Sequence, residues 1–591
     1  MKKLLYLLMS LIFVAASGGN ISADSSSDSL KAGATGTDSI KMTAQSIISQ
    51  MGSGNYKEGE LLVKFRSGTE VSSSQSLNNA LGASLIKGYA VMPDMEHVKL
   101  PQGLSVQDAI RQYMSDPDVE YAEPNYIRHI AAVIPNDTYF KNQWALRNTG
   151  RYAYGTRRAD ISAIDAWNIS VGNHDVVVAV LDTGIDYTHA DLSGNIWTNS
   201  GETSCVDGID NEGNGFIDDC IGWDFTTCAV FNDNGSCAIT KLPGNDPMDD
   251  YGHGTHVAGI IGAAGNNGNG VSGVMWTVQL MPIKVLNSYG QGQDSDIIAG
   301  IDYAVIMKQR GVNVGVINAS LGGGGFSQAL SDEIQKANDA GILFVAAAGN
   351  GSNDGIGDDN DLMPFYPASY NLPNIISVAA TDQDDRRVPF SNFGPNSVHV
   401  AAPGVYIWST VPSWWTECQG YGVLTTMEGT SMAAPQVSGL AGLLFGYYDG
   451  IHNTLFDNHQ VRQTILNYVD EKPTLNGWIQ TGGRINAYRS ISSLLAPTKL
   501  RVRSASSAAV RLRWRDNATG ETGYIIERST DGVTFTAIGV LAANSRFFDD
   551  TAVTRDTTYI YRVRAFNDIS NSFPSNAVSA TATGRRLSLL R

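Results

Sequence analysis

Three short segments hold residue types that together can perform nucleophilic catalysis. Asp182 follows the unbroken apolar run 176–181, where a strand buried on both faces would end. A carboxylate left there is costly unless it accepts hydrogen bonds, and orienting an imidazole is one way to satisfy it. His253 lies between Gly252 and Gly254 at the entry to an apolar helical run. Its small neighbours would let the ring reach a carboxylate and a hydroxyl. Ser431 stands in Gly429-Thr430-Ser431-Met432-Ala433-Ala434-Pro435, ahead of the helical run 437–445. With Pro435 expected in the first turn, Ser431 falls at or just before the helix N-terminus, where free N–H groups favour developing negative charge. Taken singly, Asp182 has a plainer reading as a helix or turn cap and Ser431 as a helix cap, and His256, inside the turn, reads as packing or bonding locally. A zinc reading of His253 and His256 lacks the i, i+4 spacing and the Glu of the helical motif.

The elements that must position these residues alternate strand-like and helix-like runs at 176–181, 257–264, 279–285, 296–307, 314–319 and 342–348. That pattern predicts an α/β fold with a mainly parallel sheet covered by helices on both faces, and function beyond the carboxyl ends of its strands. It spans 135–495. Before it, residues 56–134 read as a small α/β unit, with strands near 60–65 and 119–122 and a helix over 106–114. After it, residues 496–583 switch to short alternating strands separated by turns, an all-β sandwich pattern. Residues 24–55, rich in Ser, Gly, Thr and Ala, read as a flexible spacer, and 584–591 are left unassigned. Lys2, Lys3, an apolar stretch 4–16 and small residues up to 23 follow secretory signal grammar, and the stretch is short for a membrane span.

The order Asp182, His253, Ser431, with several consecutive matching residues at each, resembles the subtilisin-like serine proteases. The resemblance covers about 56–495. Ala346-Ala347-Ala348-Gly349-Asn350 is similar to the family's oxyanion-hole segment, and Ser320-Leu321-Gly322 to its substrate-pairing strand. It implies a secreted serine endopeptidase acting on extended polypeptides through an acyl-enzyme on Ser431. His253 would serve as base, Asp182 as its orienting acid, and the Asn350 amide with the Ser431 N–H as the oxyanion hole. Ser320, Leu321, Gly322, Ala348 and Gly349 would contact substrate. Phe365-Tyr366-Pro367 resembles the lining of the P1 pocket, with a Phe where small residues are usual. Residues 56–134 resemble an inhibitor-type propeptide, implying a zymogen held by its own propeptide and cut between about 126 and 135. Residues 496–583 resemble a fibronectin type III domain, with Trp514 as core aromatic and Tyr559 at the tyrosine corner. The rival reading is an exported binding or adhesive protein that works through this last domain on a protease-fold scaffold, against which the complete triad weighs.

A net charge of −17 excludes nucleic acid as a natural partner, because neutralising phosphates needs clustered Lys and Arg. The mature protein is expected to be a monomer without a membrane span. Its acidic loop, 207–219, alternates oxygen-bearing residues with glycines, so Asp207, Asp210, Glu212, Asn214 and Asp218 are candidate ligands for a structural calcium ion. The terminal Glu of an EF-hand is missing, Ile221 standing in its place; the competing reading is a solvated acidic turn. Cys205, Cys220, Cys228 and Cys237 are expected to form two disulfides. Three pairings are open, of which Cys205 with Cys220 and Cys228 with Cys237 close the simplest loops. Cys418 is left over, and the spacings lack the CxxC pair and His of a zinc site.

Overall fold

The computed structural model describes residues 43–49, 56–89, 91–126, 133–151, 155–351, 354–418, 423–449 and 456–583. The expected signal segment 1–23, most of the spacer, the propeptide junction, the Cys418 side chain and the tail 584–591 lie outside them. The chain divides into two compact units, 1–130 and 131–591.

In the first unit an antiparallel four-stranded sheet runs in the order Ser84–Gly88, Met95–Lys99, Tyr56–Phe65, Val119–Tyr126. Period-two alternation turns Leu61, Val63 and Phe65 into the core. The helix Val106–Tyr113 meets them with Val106, Ala109, Ile110 and Tyr113, the spacing of one helical face. Ser105 caps that helix by accepting the Asp108 N–H at 3.1 Å. Order also begins earlier than the composition suggests: Ala44–Ser49 is helical and buries Ile47 in this same core, so the expected spacer contributes to the unit.

The second unit is built on a nine-stranded sheet. From one edge its strands are Asp470–Glu471, Gly483–Arg484, Val400–Pro403, Ile375–Thr381, Leu343–Ala347, Val314–Ala319, Gly172–Asp182, Thr277–Lys284 and Trp223–Asp224. All pairings are parallel except that of the short edge strand 470–471. The strand ending at Asp182 lies between Val314–Ala319 and Thr277–Lys284. Its alternate residues enter different layers: Val176, Val178 and Val180 pack with Val257 and Leu440, and Val177, Ala179 and Leu181 with Ile301 and Ile334. Two apolar faces therefore explain the unbroken run 176–181. The helices His253–Gly262 and Thr430–Asp449 cover the first face, and Asp294–Gln309 and Gln328–Asp339 the second.

Residues 498–581 form two antiparallel sheets around one core. Trp514 and Leu512 come from one sheet, Tyr524, Tyr559, Tyr561 and Val563 from the other. This body is fastened to the helical layer through Phe573, which packs on Tyr447 and Tyr448, and through Tyr468, whose hydroxyl donates to Gly520 O at 3.0 Å. The disulfides pair Cys205 with Cys220 and Cys228 with Cys237. No helix among the described residues is long and apolar enough to cross a membrane.

Candidate active site

Asp182 is fully buried at the carboxyl end of its strand. Its Oδ1 accepts the Thr183 N–H at 2.8 Å and lies 2.7 Å from His253 Nδ1. His253 is the first residue of its helix, entered through Gly252 at φ 102°, and its side chain is 20% exposed. A Cβ on Gly254 would stand 2.1 Å from the Gly184 carbonyl, so only glycine lets the helix start this close to the Asp182 strand. Burial pushes the His253 imidazole down, but the charge of Asp182 and its hydrogen bond outweigh it, and the ring titrates above its ordinary 6.5. His256 is buried, and burial holds it down to about 3, so it stays neutral.

This pair is clamped by a residue that sequence reasoning missed. Buried Asp249 accepts the Thr183 hydroxyl at 2.8 Å and the Gly252 N–H at 2.8 Å through Oδ1, and the Thr255 N–H and hydroxyl at 2.9 and 2.6 Å through Oδ2. Thr183 Oγ1 in turn accepts the Gly254 N–H at 2.9 Å. One carboxylate thus ties the residue after Asp182 to the first turn of the His253 helix. In the sequence Asp249 is one of two adjacent aspartates ahead of a glycine, with nothing to distinguish it from a turn residue.

The Ser431 helix begins at Thr430, earlier than expected, and Pro435 lies inside it. A proline there has no N–H for the carbonyl four residues back, which belongs to Ser431. Ser320 Oγ fills the gap by donating to Ser431 O at 2.9 Å. Ser431 Oγ donates back to Ser320 O at 3.1 Å, so in this state the hydroxyl proton is turned to Ser320 and must leave that acceptor to pass to the imidazole. The Ser431 N–H lies in the first helical turn and has no intrahelical acceptor. Asn350 Oδ1 accepts the Thr430 N–H at 2.8 Å and its hydroxyl at 2.9 Å. With the acceptor side committed, the Nδ2 side is left beside Gly429, where a Cβ would come within 3.3 Å of it.

Ser320, Leu321 and Gly322 line a groove of about 860 Å³ with Thr183, His253 and Tyr366. Among the described residues Leu321 and Gly322 spend no backbone hydrogen bond inside the chain, whereas Gly323 exchanges two with Tyr366, each 2.8 Å. Ala348 and Gly349 differ. The Ala348 N–H donates to Val378 O and its carbonyl accepts Asn360 Nδ2; the Gly349 N–H donates to Thr430 Oγ1 and its carbonyl accepts the Asn392 N–H. Their backbones are occupied, so they can wall the site but not pair with a strand. The Phe365 ring lies against both sides of this wall, 2.3 Å from where a Cβ on Gly322 would sit and 3.1 Å from one on Gly349.

The acidic loop is arranged differently from its sequence pattern. Asp210 accepts the N–H groups of Gly213, Asn214 and Gly215, Asp218 those of Asp207 and Gly208, and Asp207 that of Ile209. Burial works upward on the Asp210 carboxyl, and its backbone hydrogen bonds outweigh it, holding it below the usual carboxylate range. Asn214 Oδ1 accepts the Phe216 N–H. Of the five expected ligands only Glu212 joins a carboxylate cluster, with Glu202 and Asp219, one oxygen from each of the three lying within 4.8 Å of the other two. Hard oxygen donors of this kind suit calcium.

A serine at a helix start, an acid–imidazole pair and an amide donor beyond the carboxyl ends of a parallel sheet make the constellation of a serine hydrolase working by acyl transfer. Residues 173–484 match the model of the Subtilase family, and residues 43–125 that of the fervidolysin N-terminal prodomain. The thermophilic serine proteinase of Bacillus sp. (strain AK1) is 33% identical over 443 residues, 74% of this chain and 88% of that protein. The extracellular basic protease of Dichelobacter nodosus is 34% identical over 421 residues, 68% and 63% of the two chains. Thermitase of Thermoactinomyces vulgaris is 33% identical over 357 residues, 60% of this chain and 99% of that one. The chain belongs to the subtilase family: it is a serine endopeptidase of the subtilisin-like kind, made as a zymogen behind its prodomain.

Proposed function

We propose that Ser431 is the nucleophile of a secreted endopeptidase, with His253 as general base and Asp182 as the group that fixes the imidazole tautomer. The observation that carries this reading is the 2.7 Å contact between Asp182 Oδ1 and His253 Nδ1 at the groove that also holds Ser320, the hydrogen-bonding partner of Ser431. As Ser431 Oγ attacks the scissile carbon, its proton passes to His253 Nε2 and the carbonyl electron pair moves onto oxygen. Asn350 Nδ2 and the Ser431 N–H stabilise that oxyanion. Collapse expels the amine with the proton from His253, and water repeats the sequence on the acyl-enzyme. An extended polypeptide pairs with the free backbone of Leu321 and Gly322, and Ala348, Gly349 and Phe365 bound its P1 side chain.

The precursor in this reading consists of a signal 1–23, a propeptide that inhibits in cis up to about 134, a catalytic domain 135–495 and a fibronectin type III-like domain 496–583. Support for the last comes from the buried Trp514 and from Tyr559, whose hydroxyl accepts the Thr554 N–H at 3.0 Å, a bond from a corner tyrosine to backbone just upstream. The enzyme acts as a monomer and carries a structural calcium ion in its acidic loop region. The test is expression of Ser431→Ala: casein hydrolysis should vanish and the full precursor should accumulate. Hydrolysis persisting in the purified, folded variant would overturn the assignment.

A further inference from the structure

The acidic region 199–219 contains an electrostatic imbalance that the chain does not correct. Glu202 is 9% exposed, and neither of its buried carboxylate oxygens accepts a well-formed hydrogen bond, the backbone N–H of Asn211 offering only a weak one. Glu212 Oε2 is buried and unpartnered as well. The third member, Asp219, is fully buried. Every group that reaches this cluster is neutral: Asn199 Nδ2 bonds Glu212 and Asp219, Asn214 Nδ2 bonds the same two, and the Tyr303 hydroxyl donates to Asp219 Oδ2 at 2.6 Å. None of the three carboxylates enters an ion pair among the described residues. The guanidinium of Arg310 is close by but spends its donors on the carbonyls of Glu212 and Gly213. Three converging carboxylates removed from water repel one another strongly, and a lone buried carboxylate without a hydrogen bond is among the most costly arrangements in a protein.

We propose that Glu202, Glu212 and Asp219 hold a divalent cation of the hard, calcium type, and that the aspartates of the sequence pattern, Asp207, Asp210 and Asp218, do not. This deepens the calcium reading given above and changes its ligands. Asp207, Asp210 and Asp218 are consumed in shaping the loop, each accepting backbone N–H groups, whereas Glu202 and Glu212 keep unpartnered oxygens and each converges with Asp219. Calcium takes six to eight oxygens, so the three carboxylates leave room for water, and they supply more negative charge than one such ion carries. The Asn199 and Asn214 amides orient the carboxylates. The Cys205–Cys220 disulfide closes the segment that presents Glu212 and Asp219 opposite Glu202. Asp219 extends the connection through Tyr303 into the helix Asp294–Gln309 under the sheet. The ion therefore fixes the loop to the folded body at the sheet edge. The chemical rival is a proton shared between Glu202 and Glu212.

The test measures bound calcium per chain in the full-length protein after equilibration with buffered calcium and gel filtration. Glu202→Gln and Asp219→Asn should each bind one ion fewer than the parent, and Asp210→Asn as many as the parent. Hydrogen exchange of the unaltered protein reports independently of whether the variants fold: calcium should slow exchange in peptides covering 199–219 relative to chelator. Full stoichiometry in Glu202→Gln and Asp219→Asn, or loss of an ion in Asp210→Asn alone, overturns this ligand set while leaving calcium binding intact. A parent that binds no calcium overturns both, and exchange in 199–219 that ignores calcium at neutral pH assigns the cluster to the shared proton.

Discussion

The catalytic groove, beyond the carboxyl ends of the inner strands, and the acidic loop, near one edge of the same sheet, are both built from oxygen-rich side chains, but only the groove is completed by the chain itself. Around Asp182 and His253 a second carboxylate, Asp249, is fully occupied in holding neighbouring backbone, and Asn350 is pinned by Thr430. Around Glu202 the oxygens have no well-formed hydrogen bond. A site that must act on a passing substrate has its geometry fixed beforehand by hydrogen bonds, because catalysis gains most from groups that need not reorganise. A site whose task is to bind an ion leaves its charge unbalanced until the ion arrives.

Substitutions in the two regions should separate these behaviours. The largest effect belongs to the groove. Asp182→Asn should keep the fold and lower kcat by about 10⁴-fold, because the imidazole is then held in the wrong tautomer. The same variant has a pH signature. The neutral imidazole is the active base, and Asp182 raises its titration above 6.5, so the acid limb of kcat/KM should lie above 6.5 in the parent and move down when the charge is removed. An acid limb that stays in place would disconnect Asp182 from His253. Next comes Asn350→Ala, expected to lower kcat by about 10² to 10³-fold with little change in KM, the loss a subtilisin suffers when its oxyanion asparagine is removed. A rise in KM alone would make Asn350 a substrate-binding residue. In the loop the expected change is smaller and of another kind: Glu202→Gln should leave turnover nearly intact under saturating substrate and alter calcium content instead.

Legibility followed the range of the interactions. Asp182 at a strand end, His253 at a helix entry and the two-faced sheet could be read because they depend on local periodicity and on glycines beside a functional residue. The start of the Ser431 helix could not, since a proline in its second turn is tolerated only because Ser320, 111 residues away in sequence, bonds the orphaned carbonyl. Asp249 was hidden for the same reason: its bonds to Thr183, Gly252 and Thr255 become a network only when the Asp182 strand and the His253 helix are brought together. The strand Val400–Pro403 has only four residues, and the helix Val71–Ala80 is too polar for its periodicity to show. Ile375–Thr381, seven buried residues long, was legible by the same criterion as its neighbours and was missed. In the acidic loop the regular spacing of Asp and Gly marked residues that hold the turn. Of the three that converge, Glu212 belongs to that pattern, Asp219 stands next to the Asp218 that the pattern marks, and Glu202 lies outside the loop and carries no such signature.

The central claim is that Ser431 is activated by the pair Asp182–His253. It is tested most directly by treating the mature enzyme with a fluorophosphonate and locating the adduct by peptide mass spectrometry. The account predicts one adduct per chain, on Ser431, formed far more slowly in His253→Ala. An adduct on another serine, or a labelling rate on Ser431 that His253→Ala leaves unchanged, would contradict it.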